Sequence, residues 1–203
     1  MVCREKKTVS ASERNEEARQ DWRARAETLP ARRVVVIDES STHLGMTSPY
    51  ARAPRGQRAY TQQPRNYGKN MSWLAGLRLE GMSAPMLIEG AVNTAVFETF
   101  VEHVLLPTLH QGDIVVIDNL SAHQSKRVQS LLAKKRCHIL FLPAYSPDVS
   151  PIENAFAKIK QCLRVAQAHT VDALIEALDR ALAAVSPFDA IGFFTNARFL
   201  NLD

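Results

Sequence analysis

The chain has 203 residues, 46% of them hydrophobic and 23% charged, a composition that buries a core without needing disulfides or structural metal. No apolar run approaches the ~20 residues that cross a bilayer, and the basic N-terminus lacks the apolar segment of a secretory signal. The three cysteines (Cys3, Cys137, Cys162) form no CxxC pair, so a reduced, cytoplasmic setting is expected. The net charge of +4 is unevenly spread. The stretches 40–79 and 119–147 hold bases and no acids, whereas the tail from Asp172 holds five acids and two bases. Such patches suit a polyanion such as nucleic acid, and equally serve as plain solvated faces.

Residues 1–31 are polar, with sparse apolar positions at Ala11, Ala18, Trp22 and Ala26. They read as a helical linker arm, opened by a capping box at Ser10-x-x-Glu13 and ended at Pro30. Residues 32–203 form the main domain. It opens on Arg33-Val-Val-Val-Ile-Asp38, whose four consecutive β-branched residues predict a strand buried on both faces. A turn-rich stretch with Pro49, Pro54, Gly56 and Pro64 follows, then two antiparallel strands at 71–79 and 85–88. Val96, Phe97, Phe100, Val101, Val104 and Leu105 give residues 94–106 one apolar helical face, with Asn93 or Thr94 as cap. Asp113-Ile-Val-Val-Ile-Asp118 repeats the buried-strand pattern. A short helix through Val128, Leu131 and Leu132 follows, then a strand at 137–142 and helices at 152–164 and 171–185. The order β-β-β-α-β-α-β-α-α predicts an α/β fold: a mixed sheet, antiparallel at first and parallel later, with flanking helices.

Two of the predicted buried strands end on an acid, Asp38 and Asp118. Alone, each reads as a turn or cap residue. As a pair on neighbouring strands they read as a site, because ligands sit at the carboxyl ends of strands in open α/β sheets and an unpaired buried charge is costly. The third acid, Glu153, follows Ser150 and Pro151 in an S-x-x-E capping box, so it serves equally well as a cap or as a ligand. Helical spacing sets it on a face with Ala157, Lys160 and Arg164. Three gathered carboxylates repel one another unless a cation is present, and hard oxygen donors select Mg²⁺ or Mn²⁺. Two such ions are enough for in-line phosphodiester displacement without a nucleophilic side chain.

Asp38-Glu39, Asp118-Asn119 and Tyr145-Ser-Pro-Asp-Val-Ser-Pro-Ile-Glu153 resemble the three acidic motifs of DDE transposases. The 34 residues between Asp118 and Glu153 match the mariner-like group and its bacterial insertion-sequence relatives. The Asn119-to-His123 element and the basic stretch from Tyr50 to Arg58 are similar to that bacterial group as well. The resemblance covers about residues 5–200. It implies a ribonuclease-H-like fold in which the first and fourth strands are neighbours. It also implies catalytic, metal-holding roles for Asp38, Asp118 and Glu153, two Mg²⁺ or Mn²⁺ ions, and cleavage of DNA at transposon ends followed by strand transfer into target DNA, with a homodimer handling the paired ends. Ser150 stands where the family has Asn. Family members also carry an N-terminal helix-turn-helix region, whereas residues 1–30 resemble only the arm that follows it, so a separately encoded recognition portion is expected.

Candidate DNA contacts are Arg52, Arg55 and Arg58 around Pro54 and Gly56, together with Lys160 and Arg164. Tyr145 is a stacking candidate in the loop before Glu153. His123 reads equally as a phosphate contact and as an ordinary helix-start residue. Asn119 is read as orienting Asp118, and Glu39, pointed to the opposite face by strand alternation, as a supporting residue. Trp73 reads as core. The alternative function is a catalytically idle DNA-binding or dimerising remnant that regulates an active transposase.

Overall fold

The computed structural model describes residues 14–48, 52–60, 68–119 and 125–202. The elements are α1 (Glu16–Thr28), β1 (Val34–His43), β2 (Asn70–Arg78), β3 (Gly81–Glu89), α2 (Thr94–Phe100), β4 (Ile114–Ile117), α3 (Lys126–Lys134), β5 (His138–Phe141), α4 (Pro151–Ala166), α5 (Val171–Ala183) and α6 (Pro187–Asn196). The strands form one sheet in the order β3-β2-β1-β4-β5. β1–β2 and β2–β3 are antiparallel, and β1–β4 and β4–β5 are parallel. The first and fourth strands are therefore neighbours, as the motif resemblance implied.

Strand alternation divides the core in two. Val34 and Val36 of β1, with Trp73 and Leu77 of β2, face Trp22, Ile152, Phe156, Leu178 and Phe194 on α1, α4, α5 and α6. Val35 and Ile37, with Val115 and Ile117 of β4, face Phe97, Phe100, Val128 and Leu132 on α2 and α3. All four residues from Val34 to Ile37 are essentially without exposed surface, which is why an unbroken β-branched run suits β1. Each contributes roughly 1.5–3 kcal/mol on burial.

Several elements depart from the sequence reading. β1 runs on through the polar residues Glu39–His43, because β2 pairs with it from Leu77 opposite Val36 to Asn70 opposite His43. The helix expected over 94–106 is α-helical only to Phe100, then continues as a π-turn, Val101–Leu105, and a 3-10 turn, Leu106–Thr108. Pro107 in that last turn has no N–H with which to continue an α-helix. Helix α6 has no counterpart in the sequence reading, although it carries a complete capping box between Ser186 and Asp189. Within α1 the observed cap is Asn15, whose Oδ1 accepts from Ala18 N at 3.0 Å. Ser10 and Glu13 lie outside the described residues. Asn93 caps α2 by accepting from Val96 N at 3.0 Å, which settles the choice against Thr94. In β3, Ser83 is opposite Gly76 and Met86 is opposite Leu74, so Ala84 and Pro85 together face Ala75 in a bulge, with Ala84 at a φ of 49°.

Helix α1 packs onto the α4 side of the sheet. Trp22 meets Phe199 edge-on, with ring centroids 6.4 Å apart. Its neighbour on that face is Arg19, which is fully buried.

Candidate active site

Val36 pairs with Val116 and Ile37 with Ile117 across the parallel β1–β4 ladder. Asp38, within β1, and Asp118, just past β4, are the next residues where this parallel pairing ends, and alternation turns both toward the α4 side. Asp38 Oδ1 accepts from Glu39 N at 2.8 Å. Burial pushes the Asp38 carboxyl up to about 7, and the negative charges of Asp118, Glu39 and Glu153 add to that rise against the lowering by the Glu39 N–H.

Glu153 enters on the first turn of α4. Pro151 occupies the first helical position, as its fixed φ favours. The capping box expected between Ser150 and Glu153 does not form. Ser150 N already donates to Pro147 O at 3.0 Å, closing the 3-10 turn Pro147–Val149. That uses the N–H that a box would offer to the Glu153 carboxylate. Ser150 Oγ is buried and makes no hydrogen bond. The Glu153 side chain is thereby released from a structural tie, and the residue is exposed.

Asp38, Asp118 and Glu153 line one cleft of about 330 Å³, with Asn119, Leu142, Tyr145, Ser146 and Ser150 among its walls. Glu153 also borders a second cleft of about 420 Å³, with Glu39, Ser41, Asn70, Ser72 and Lys160. Glu153 thus stands on the ridge between the two. Glu39, which alternation sends to the face opposite Asp38, reaches the second cleft only. Tyr145 holds a left-handed φ of 54° and is 61% exposed at the rim of the first cleft. Lys160 and Arg164 follow Glu153 along α4, both half-buried. Arg52, Arg55 and Arg58 are exposed and belong to no helix or strand. His123 lies outside the described residues. Trp73 is core, edge-on to Phe156 with ring centroids 4.4 Å apart.

Among the described residues no three carboxylate, imidazole or thiol groups close on one point as a preformed metal centre. The three acids share a cleft rather than a single focus. Their chemistry is nonetheless that of a hard cation site: oxygen donors only, one of them carrying a penalty for charge.

Sequence reasoning passed over one pair near this site. Arg19 and Asp148 join α1 to the turn before α4, with Nη1 to Oδ1 at 2.8 Å and Nη2 to Oδ2 at 2.5 Å. The available signal was spacing, since Arg19 shares a helical face with Trp22 and Ala26.

The "Transposable element Tc1 transposase" of Caenorhabditis elegans is 30% identical over 90 residues, which are 44% of this chain and 33% of that protein. The Mos1 strand transfer complex superposes with a TM-score of 0.75 at 19% identity, covering 98% of this chain and 63% of that one. The Mos1 mariner paired-end complex with Mn gives 0.73 at 21% identity, covering 98% and 64%. The chain therefore spans less than two thirds of the length of these relatives, and its fold is the mixed-sheet, ribonuclease-H-like fold of the Mos1 structures. The sequence profile described as "DDE superfamily endonuclease" matches residues 33–175, from the start of β1 into α5. That stretch carries all three acids and most of the chain, and the protein belongs to the DDE superfamily endonucleases.

Proposed function

We propose that the chain is the catalytic domain of a transposase of the bacterial, mariner-like kind, with 34 residues between the second and third acids. It cleaves DNA strands at transposon ends and joins the freed 3′-hydroxyl to target DNA. One observation carries this reading: Asp38, Asp118 and Glu153, brought from β1, the end of β4 and the start of α4, line a single cleft where the parallel pairing of β1 with β4 ends.

The residues fit two Mg²⁺ or Mn²⁺ ions, held by Asp38, Asp118 and Glu153. A cation offsets the burial that chiefly raises the Asp38 carboxyl and the repulsion by neighbouring acids that adds to it. When bound, such ions supply activation of the attacking oxygen and stabilisation of the leaving one. The rest is positioning by the chain. Asn119 beside Asp118 and Glu39 beside Asp38 hold the acids in orientation. Tyr145 offers its ring to a base at the rim of the cleft. Lys160 and Arg164 on α4, His123, and the Arg52, Arg55 and Arg58 stretch neutralise phosphates. In this reading residues 32–203 are the catalytic unit and residues 1–31 the arm. The active species is a cytoplasmic homodimer on paired ends.

The test is nicking and strand transfer on duplexes bearing the ends of the encoding element, with Mg²⁺ or Mn²⁺ added. The chain should act only with the metal, and Asp118→Asn should lose at least ~100-fold in rate, the scale on which loss of an essential electrostatic group is felt. Equal activity in Asp118→Asn overturns the assignment. DNA binding that persists without cleavage at every metal concentration favours the idle, regulatory remnant instead.

A further inference from the structure

Arg19 is fully buried while its partner Asp148 is about half exposed, and an ion pair open to solvent on one side adds little stability through charge alone. What such a pair supplies is a defined geometry. Its fork grips both oxygens of Asp148, an arrangement that fixes direction as well as distance. Arg23 approaches the same carboxylate at 3.6 Å. Asp148 sits in the 3-10 turn Pro147–Val149 that runs directly into Ser150, Pro151 and the first turn of α4.

A second observation concerns the same place. Among the described α-helices, α1, α2, α3, α5 and α6 each begin on a side-chain cap, from Asn15, Asn93, Ser125, Thr170 and Ser186 respectively. Helix α4 begins without one. The helix start that carries Glu153 is therefore not fixed from within, as the others are. The side-chain anchor nearest to it comes from another element, through Asp148.

We propose that Arg19 is a positioning residue for Glu153. By holding Asp148, helix α1 sets the start of α4 and thereby the place of the third acid in the cleft. This rests on the reading of Glu153 as a metal-holding acid. It makes α1 part of the catalytic apparatus, because a displacement of α1 moves the turn that leads to Glu153.

The test uses the full chain with Arg19→Lys, which keeps the charge and loses the fork, and Asp148→Asn, which keeps the size and a hydrogen-bond acceptor. Urea unfolding, DNA affinity without metal, the Mn²⁺ dependence of nicking, and the rise in melting temperature on adding Mn²⁺ are measured for each. The expected result is folded protein with DNA affinity within twofold of wild type. Turnover should fall at least tenfold, half-saturation should need more Mn²⁺, and the Mn²⁺ thermal shift should shrink toward that of Glu153→Gln. The exchanged pair Arg19→Asp with Asp148→Arg should recover part of both losses. Folded variants with wild-type turnover and a wild-type Mn²⁺ shift overturn the proposal. If Arg19→Lys does not fold, Asp148→Asn decides by the same criteria. Failure of the underlying reading is separate and shows as a Glu153→Gln variant that keeps full turnover and the full Mn²⁺ shift.

Discussion

At the residue scale, Asp38 couples protonation to folding. In the folded chain its carboxyl holds a proton up to about pH 7, against 3.8 ordinarily, chiefly because burial disfavours the charged form and then because Asp118, Glu39 and Glu153 repel it. The native state thus binds more protons than the unfolded state between those values, so metal-free stability falls as pH rises from about 4 to about 7. At ~1.36 kcal/mol per pH unit the loss is on the order of 4 kcal/mol as an upper bound. Urea midpoints measured from pH 4.5 to 8 should decline for the wild type and stay nearly level for Asp38→Asn. A parallel decline in both would remove Asp38 as the cause. The placement of Asp38 and Asp118 was legible because each ends an apolar β-branched run. Release of Glu153 from its cap was not, since Ser150-Pro151-Ile152-Glu153 satisfies every local rule for a capping box. What decides the matter is the 3-10 turn upstream, which takes the Ser150 N–H first.

At the element scale, α4 is held along its length by partners that local sequence does not announce. Lys158 donates to Asp189 at 2.6 Å, and Asp189 closes the capping box of α6 by accepting from Ser186 N at 2.9 Å and Ser186 Oγ at 2.6 Å. Lys158 first and Ser186 second hold the Asp189 carboxyl down to about 2. Here the unfolded state is the tighter proton binder, so this contribution is present above about pH 4 and lost as pH falls toward 2. Asp189→Asn should remove that part of the acid-induced loss of stability while leaving the decline above pH 4 untouched, as circular dichroism across pH 2–5 would register. The long periodic helices α4 and α5 could be read from their apolar stripes. Helix α6 could not, because Pro187-Phe-Asp-Ala-Ile-Gly-Phe-Phe mixes exposed Phe188 with buried Phe194 and contains Gly192, leaving no clean stripe. The extension of β1 through Glu39–His43 was equally hidden, since its warrant is pairing with β2 rather than any alternation of its own.

At the scale of the whole molecule, helices cover both faces of one sheet, and the acidic cleft opens where the parallel pairing of β1 with β4 ends. Lys160 borders the neighbouring cleft that shares Glu153, and Arg164 stands one turn further along α4. Duplex binding by the full chain should weaken steeply with salt. Replacing both residues by Gln should flatten the slope of log affinity against log salt by ~1.8, at ~0.9 for each phosphate no longer neutralised. An unchanged slope would place the DNA elsewhere. The mixed sheet was legible from the element sequence, and the adjacency of its first and fourth strands from the motif resemblance. The junction of α1 to the α4 start was not, because Arg19 reads locally as one more charge on a polar helix, and only the fold brings Asp148 to it.

The bulge in β3 bears on how copies of the molecule meet. β3 ends the sheet on one side, and a regular border strand would offer its free amides and carbonyls to a neighbour's strand. Pro85, exposed there, has no amide to offer, and the left-handed Ala84 beside it bends the line. Joining sheet to sheet through this border is thereby blocked, and with it the route to open-ended fibres. Copies that come together through protein contacts must then use helix faces or the opposite border, β5. Pro85→Thr would open the blocked route, visible as growing light scatter when the protein is concentrated; a variant as clear as the wild type would show that the bend at Ala84 suffices alone.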